Sequence, residues 1–206
     1  MGLLDVNRSL LVVIDLQGKI VERIWRSRFV LDATLRLLKL AELFQVPVVL
    51  TEQNPQGLGG TVPDVKSAFD GLTVAKRALA KTSFSCCADR GFEEALAAVR
   101  PALAPSQRQI VIAGAEAHIC VMQTVLGLLE SGHEVHVSWD AVSGRGEEYR
   151  HHALERMAAA GATLTNHESV AFEWAGDKND PRFKVVNALF REGQLTGGGP
   201  APLPGV

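Results

Sequence analysis

No apolar run in this sequence of 206 residues approaches the length of a membrane span. The opening segment MGLLDVNRSLLVVIDLQ carries Asp5 and Arg8 and lacks the basic start of a secretory signal, so the expected location is the cytoplasm. An excess of positive charge is missing too: 21 Lys and Arg stand against 23 Asp and Glu, a formal net charge of −2. Without a basic footprint the expected partner is a small-molecule substrate, with no nucleic acid and no membrane. Cysteines number only three, Cys86, Cys87 and Cys120, and two of them are adjacent. An odd count in that arrangement argues against a disulfide framework and leaves free thiols. No histidine stands at a zinc-ligand spacing from a cysteine pair, and His151 and His152 lie in a polar helical stretch that reads as solvent-exposed. No GxGxxG follows the first apolar run, so Gly59-Gly60 gives loop flexibility and is no phosphate cradle.

What remains is ordinary globular composition, with 47% hydrophobic and 21% charged residues. The length fits one domain with a substantial core, expected over residues 1–192. The Gly- and Pro-rich tail 193–206 lacks apolar periodicity and is expected to be a loose extension or an arm on a neighbouring subunit.

Apolar runs alternate with helical patterns along the chain. Leu10 to Ile14 reads as a first strand, Phe29 to Phe44 as a helix with Leu31, Leu35, Leu38 and Ala41 on one face, and Pro47 to Leu50 as a second strand. Residues 51–70, with QNPQGLGGTVPD at their centre, read as a long loop over the carboxyl edge of the sheet. Then come a short helix from Phe92 to Val99, a strand from Gln109 to Ala113 and a helix from about Ile119 to Glu130. A strand from His133 to Trp139 places Val135, Val137 and Trp139 on one face; a helix over Glu147 to Ala160, a strand over Ala162 to Thr165 and a last helix over Phe183 to Arg191 complete the pattern. This is the signature of an α/β fold: three layers, doubly wound and Rossmann-like, around a mainly parallel sheet of five or six strands with helices on both faces.

Ligands of such sheets bind beyond the carboxyl ends of the strands, which singles out Asp15, Gln17, Thr51, Glu52, Gln53, the stretch Ala113 to Cys120, and Asp140. Cys120 sits at the first turn of a helix, where unpaired N–H groups and the helix dipole favour an anion. It reads either as a reactive thiolate or as a small buried side chain filling the helix–sheet interface. Asp15 directly follows five apolar residues and is costly to bury without a partner, although an N-cap or loop hydrogen bond would also account for it. Lys81 opens KTSFSCC at a strand edge and can reach both, although most lysines are simply solvated. A carboxylate to take the thiol proton, an ammonium to steady the charges and backbone donors for an oxyanion make a workable set.

The ordered segments VVIDLQ (12–17), TEQNPQGLGGTVP (51–63), KTSFSC (81–86), GAEAHICVMQT (114–124) and SGHEVHVSWDAVSGR (131–145) resemble the isochorismatase-like cysteine hydrolases. The resemblance implies Asp15 as base, Lys81 as its lysine and Cys120 as nucleophile. It also implies a cis peptide bond between Ala115 and Glu116, turning the backbone N–H groups of Glu116 and Cys120 toward one oxyanion. Nicotinamidase-type relatives hold a metal through an aspartate and histidines after the second strand, whereas residues 51–80 here contain no histidine, so no metal and no cofactor are expected. The EAHIC version of the nucleophile motif is most similar to a metal-free branch without a settled substrate.

Gln17, Trp25, Gln53, Phe84 and His118 are candidates for a substrate pocket, each with a structural alternative; Trp25 fits a subunit interface equally, and Cys86 and Cys87 read as packing residues. The expected activity is hydrolysis of a C–N bond in a small amide or related acyl compound through a Cys120 thioester, in a homo-oligomer. The alternatives are a vinyl ether hydrolase of isochorismatase type, which needs no cysteine nucleophile, a redox-responsive or binding protein that keeps the triad without turnover, and, more remotely, a nucleotide-binding protein.

Overall fold

The computed structural model describes residues 2–191, so the expected tail 193–206 lies outside the described residues. Its elements in chain order are β1 (Ser9–Ile14), α1 (Gly18–Val21), α2 (Ser27–Phe44), β2 (Val48–Gln53), α3 (Pro55–Leu58), α4 (Pro63–Asp70), β3 (Lys76–Lys81), α5 (Arg90–Val99) and β4 (Gln109–Ala115). There follow a π-type turn (Ala117–Val121), α6 (Met122–Glu130), β5 (Glu134–Ser143), α7 (Glu147–Ala159), β6 (Thr163–Thr165), α8 (His167–Ala175) and α9 (Phe183–Arg191).

All six strands run parallel in the order β3-β2-β1-β4-β5-β6. The chain winds outward from β1 in one direction and then from β4 in the other, so the switch point lies between β1 and β4. Helices cover both faces. On β1, Leu11 and Val13 turn toward a core that α2, α4 and α8 complete with Leu37, Leu40, Phe69 and Trp174. Leu10, Val12 and Ile14 turn toward a second core closed by Phe92 and Leu96 of α5, Val125 of α6 and Met157 of α7. Burial on both faces is why β1 reads as an unbroken apolar run rather than an alternating one.

Three expectations need correction. Residues 51–70 are not one long loop. Thr51, Glu52 and Gln53 extend β2, and α4 packs against α2 and buries Val65 and Phe69. A proline opens each of the two short helices in this segment, where the missing N–H and fixed φ are tolerated, and the glycines between them concealed the helical pattern. Trp139 does not share the buried face of Val135 and Val137. The register of β5 against β4 slips between Ile112 and Gly114, Val142 takes the next inward position, and Trp139 turns out to solvent. The helix expected from Ile119 begins earlier, with the π-type turn at Ala117, and reaches regular α geometry only at Met122.

Candidate active site

The carboxyl ends of β1, β3 and β4 bring Asp15, Lys81 and the Cys120 turn together at the switch point. Asp15 leaves β1 with φ at 51°, a left-handed conformation that Asp tolerates better than most residues, and its N–H donates to the Thr51 carbonyl at 3.1 Å. Beside it, Gly114 of β4 has φ at +132°, and a Cβ there would stand 2.1 Å from the Ile14 carbonyl oxygen. Only glycine lets β4 approach β1 this closely, one residue before the carboxylate. The peptide bond between Ala115 and Glu116 is cis, as the resemblance implied.

Lys81 donates from Nζ to Asp15 Oδ2 at 2.7 Å, and the two side chains are 2% and 0% exposed. A buried ion pair of this kind survives only when its remaining hydrogen-bonding capacity is met. Lys81 meets it on Gln53 Oε1 at 2.7 Å and on the carbonyls of Ser83 and Phe84 at 3.2 Å. The other carboxylate oxygen, Asp15 Oδ1, accepts from Thr51 Oγ1 at 2.7 Å. Both oxygens of Asp15 are therefore fixed before any substrate arrives.

Cys120 is 5% exposed, and the Asp15 charge acts on its thiol. Burial first, and the Asp15 charge second, push its pKa up to about 12, against the opposing pull of Lys81. Of the two readings of Cys120, burial favours the un-ionised side chain. A helix start is worth about 0.3–1 kcal/mol, or ~2 kcal/mol in the best buried geometry. The rise from 9.0 to about 12 corresponds to on the order of 4 kcal/mol the other way. Desolvation and the carboxylate outweigh the helix start, and both oppose ionisation of the sulfur.

The other candidates separate. Gln17 is fully buried and closed on the chain: its Nε2 donates to the Gln53 carbonyl at 3.0 Å, and its Oε1 accepts from the Gln53 N–H at 2.7 Å. Gln53 is brought to the site, but as the residue that orients Lys81. Phe84 contributes a carbonyl to Lys81 while its ring is 55% exposed. His118 turns toward α7, where its ring stacks on Tyr149 at 4.8 Å between centroids, and burial lowers its pKa. Trp25 packs beside the end of β5, donating its N–H to the Gly144 carbonyl at 2.8 Å under the Arg26 guanidinium.

Thr51, singled out as a strand-end residue, and Cys86, read as a packing residue, lie beside the pair. Thr51 anchors Asp15, and Cys86, fully buried, lies behind it with Sγ at 3.8 Å from Thr51 Oγ1. The signal for Thr51 was its place at a strand end; nothing in the sequence showed which carboxylate it would meet. Glu116 beside the cis bond pairs through its side chain with Arg145 at 2.6 Å.

The isochorismatase domain family matches residues 9–169. The chain is 37% identical over 191 residues to isochorismatase domain-containing protein 2 of Xenopus laevis, covering 93% of this chain and 87% of that one. Among solved structures, the MAR1 ribonuclease of Caenorhabditis elegans superposes with a TM-score of 0.84 at 34% identity over 100% of both chains. The YcaC protein of Escherichia coli, described as an octameric hydrolase of unknown specificity, gives 0.80 at 27% identity over 92% of this chain and 90% of its own. YcaC of Pseudomonas aeruginosa, solved with covalent acrylamide, gives 0.80 at 26% identity over 93% and 95%.

Proposed function

The chain belongs to the isochorismatase family, and on that premise we propose that it hydrolyses a C–N bond of a small amide or related acyl compound through a thioester on Cys120. The observation that carries the reading is the buried carboxylate at the sheet's switch point: Asp15 binds Lys81 at 2.7 Å through Oδ2, and its charge acts on the Cys120 thiol.

In the proposed reaction the thiol proton passes to Asp15 as sulfur attacks the acyl carbon, so the C–S bond forms without a free thiolate. The oxyanion is held by the N–H groups of Glu116 and Cys120. Its collapse breaks the C–N bond, and the leaving amine takes the proton from Asp15. Water then gives a proton to Asp15 and attacks the thioester, and sulfur departs with that proton. Lys81 holds Asp15 in place and offsets its charge; no cofactor or metal enters these steps. The covalent acrylamide on the P. aeruginosa relative supports a nucleophile in this fold. A vinyl ether hydrolase or a silent binding protein would have no use for a nucleophilic thiol at this strand edge.

Kinetic screening of amides, ureides and esters tests the reading. Wild type should turn over at least one class, Cys120→Ala should be inactive, and Asp15→Asn and Lys81→Met should each lose roughly 10²-fold or more of the turnover while folded. Turnover that survives in Cys120→Ala removes the thioester. The C. elegans relative's name as a ribonuclease supplies a second reading, RNA phosphodiester cleavage, so single- and double-stranded RNA belong in the same screen. The net charge of −2 and a site lysine already committed to Asp15 favour the small acyl substrate.

The octameric E. coli relative supports a homo-oligomer here, and the exposed Phe84 ring beside the Lys81 loop fits burial by a neighbouring copy. Light scattering that gives a monomer at micromolar concentration would overturn that part. No helix of the described residues is long and apolar enough to cross a membrane.

A further inference from the structure

We propose that the exposed face of α7 carries a binding site for a divalent transition-metal ion, Zn2+ by its donor chemistry, formed by His151, His152 and Glu155. Ligand atoms of the three residues lie within 4.8 Å of one another. His151 Nε2 stands 3.2 Å from Glu155 Oε1, and His152 Nδ1 stands 2.9 Å from Glu155 Oε2. Two ligands bound to zinc at about 2.0 Å in tetrahedral geometry are about 3.3 Å apart, so both histidine–glutamate pairs are within a few tenths of an ångström of metal-binding separation, and the two exposed imidazoles need only a side-chain rotation to close on the same ion.

The spacing explains the convergence. Glu155 is four residues from His151 and three from His152, the two separations that place side chains together on a helix surface. It therefore sits between two adjacent histidines that would otherwise diverge. The backbone that carries them is already fixed, because Ala153, Leu154 and Met157 of the same helix are buried in the core. Two imidazoles and one carboxylate suit zinc, nickel or copper ions and discriminate against magnesium and calcium, which want oxygen donors.

The site is separate from the Asp15–Lys81–Cys120 centre. His152 also lines an open groove of about 340 Å³ shared with His118, Tyr149, Glu148 and Arg156. Three protein ligands leave zinc a position for water or a further donor, and this groove is the space beside it. Glu148 adds negative charge nearby, and Arg156 opposes it.

Isothermal titration of the full chain with Zn2+ alone, and separately with Mg2+, tests the assignment. Wild type should bind one Zn2+ and give no heat with Mg2+. His151→Ala/His152→Ala should lose that event, and Glu155→Gln should weaken it by about tenfold or more. All three positions are solvent-exposed, so thermal unfolding of the variants should match wild type. The assignment is overturned if wild type binds no Zn2+ up to millimolar concentration, or if the double histidine variant binds as tightly as wild type, which would place the ion on the cysteines.

Discussion

Replacing Asp15 by Asn separates the two jobs assigned to this carboxylate, because it should disable turnover and at the same time make Cys120 easier to alkylate. The variant keeps the size of the side chain and one acceptor oxygen for Lys81, presents its NH2 as a donor to Thr51 Oγ1, and removes the charge that opposes ionisation of the sulfur. A unit charge about 4 Å away at an effective dielectric near 20 is worth about 4 kcal/mol, or about three pKa units. Burial, the larger cause of the raised pKa, remains, so a fall of about two units is the working figure, giving about a hundredfold more thiolate near neutral pH. Nucleophilicity falls as the pKa falls, with a coefficient of about 0.4–0.5, which leaves a net gain of about tenfold. Wild-type Cys120, at about 12 against an ordinary 9.0, should alkylate far more slowly than an unperturbed thiol. Iodoacetamide labelling between neutral and alkaline pH, read peptide by peptide, gives both rates, with the half-buried Cys87 as an internal reference. Turnover should drop by roughly 10²–10⁴-fold. Slower or unchanged labelling of the Asn variant, or labelling of wild type at the rate of a free thiol, refutes the electrostatic argument.

Other perturbations follow from the same geometry. Lys81→Met strands the Asp15 charge in the interior and should cost about 3–5 kcal/mol in denaturant unfolding, with much of that recovered in Lys81→Met/Asp15→Asn; a double variant no more stable than the single one would contradict the pairing. Gly114→Ala puts a Cβ 2.1 Å from the Ile14 carbonyl and should destabilise by about 1–3 kcal/mol or more, whereas an unchanged melting temperature would deny the close approach of β4 to β1. His133 and His136 are buried with pKa values lowered from 6.5, chiefly by desolvation. As pH falls below 6.5 the unfolded chain takes up protons that the folded chain refuses, so stability should decline from there downward. Replacing both by Gln should flatten that slope in pH-dependent thermal melts, and an unaltered slope would assign it to other groups.

Much of this fold was legible because its central strands are buried on both faces. Leu10–Ile14 and Gln109–Ala113 stand out as apolar runs, and the helices facing them show their own periodicity. β3 was harder to see. It is an edge strand whose KRALAK sequence is half-exposed, and only Lys81 at its end drew notice. Helix α8 went unread because its HESVAFEWA sequence shows little segregation of apolar residues, although Asn166 caps it by accepting from the Ser169 N–H at 2.8 Å. At the site, position in the chain was enough to nominate Asp15, Lys81 and Cys120. Position was not enough to give the charge state of the sulfur. That depends on how deeply Cys120 is buried and on the direction in which the Asp15 carboxylate points, both of which are tertiary facts. For the same reason Gln53 turned out to orient Lys81, and His118 turned toward Tyr149.

The central claim is that Cys120 becomes covalently acylated while Asp15 carries its proton. Rapid-quench mass spectrometry of the full chain during turnover of an active amide or ester tests this most directly. The account predicts a transient mass gain equal to the acyl group, located on the Cys120 peptide, cleared by hydroxylamine and missing in Cys120→Ala. Steady turnover by wild type with no adduct at any time point, or an adduct on Cys86 or Cys87 instead, would contradict it.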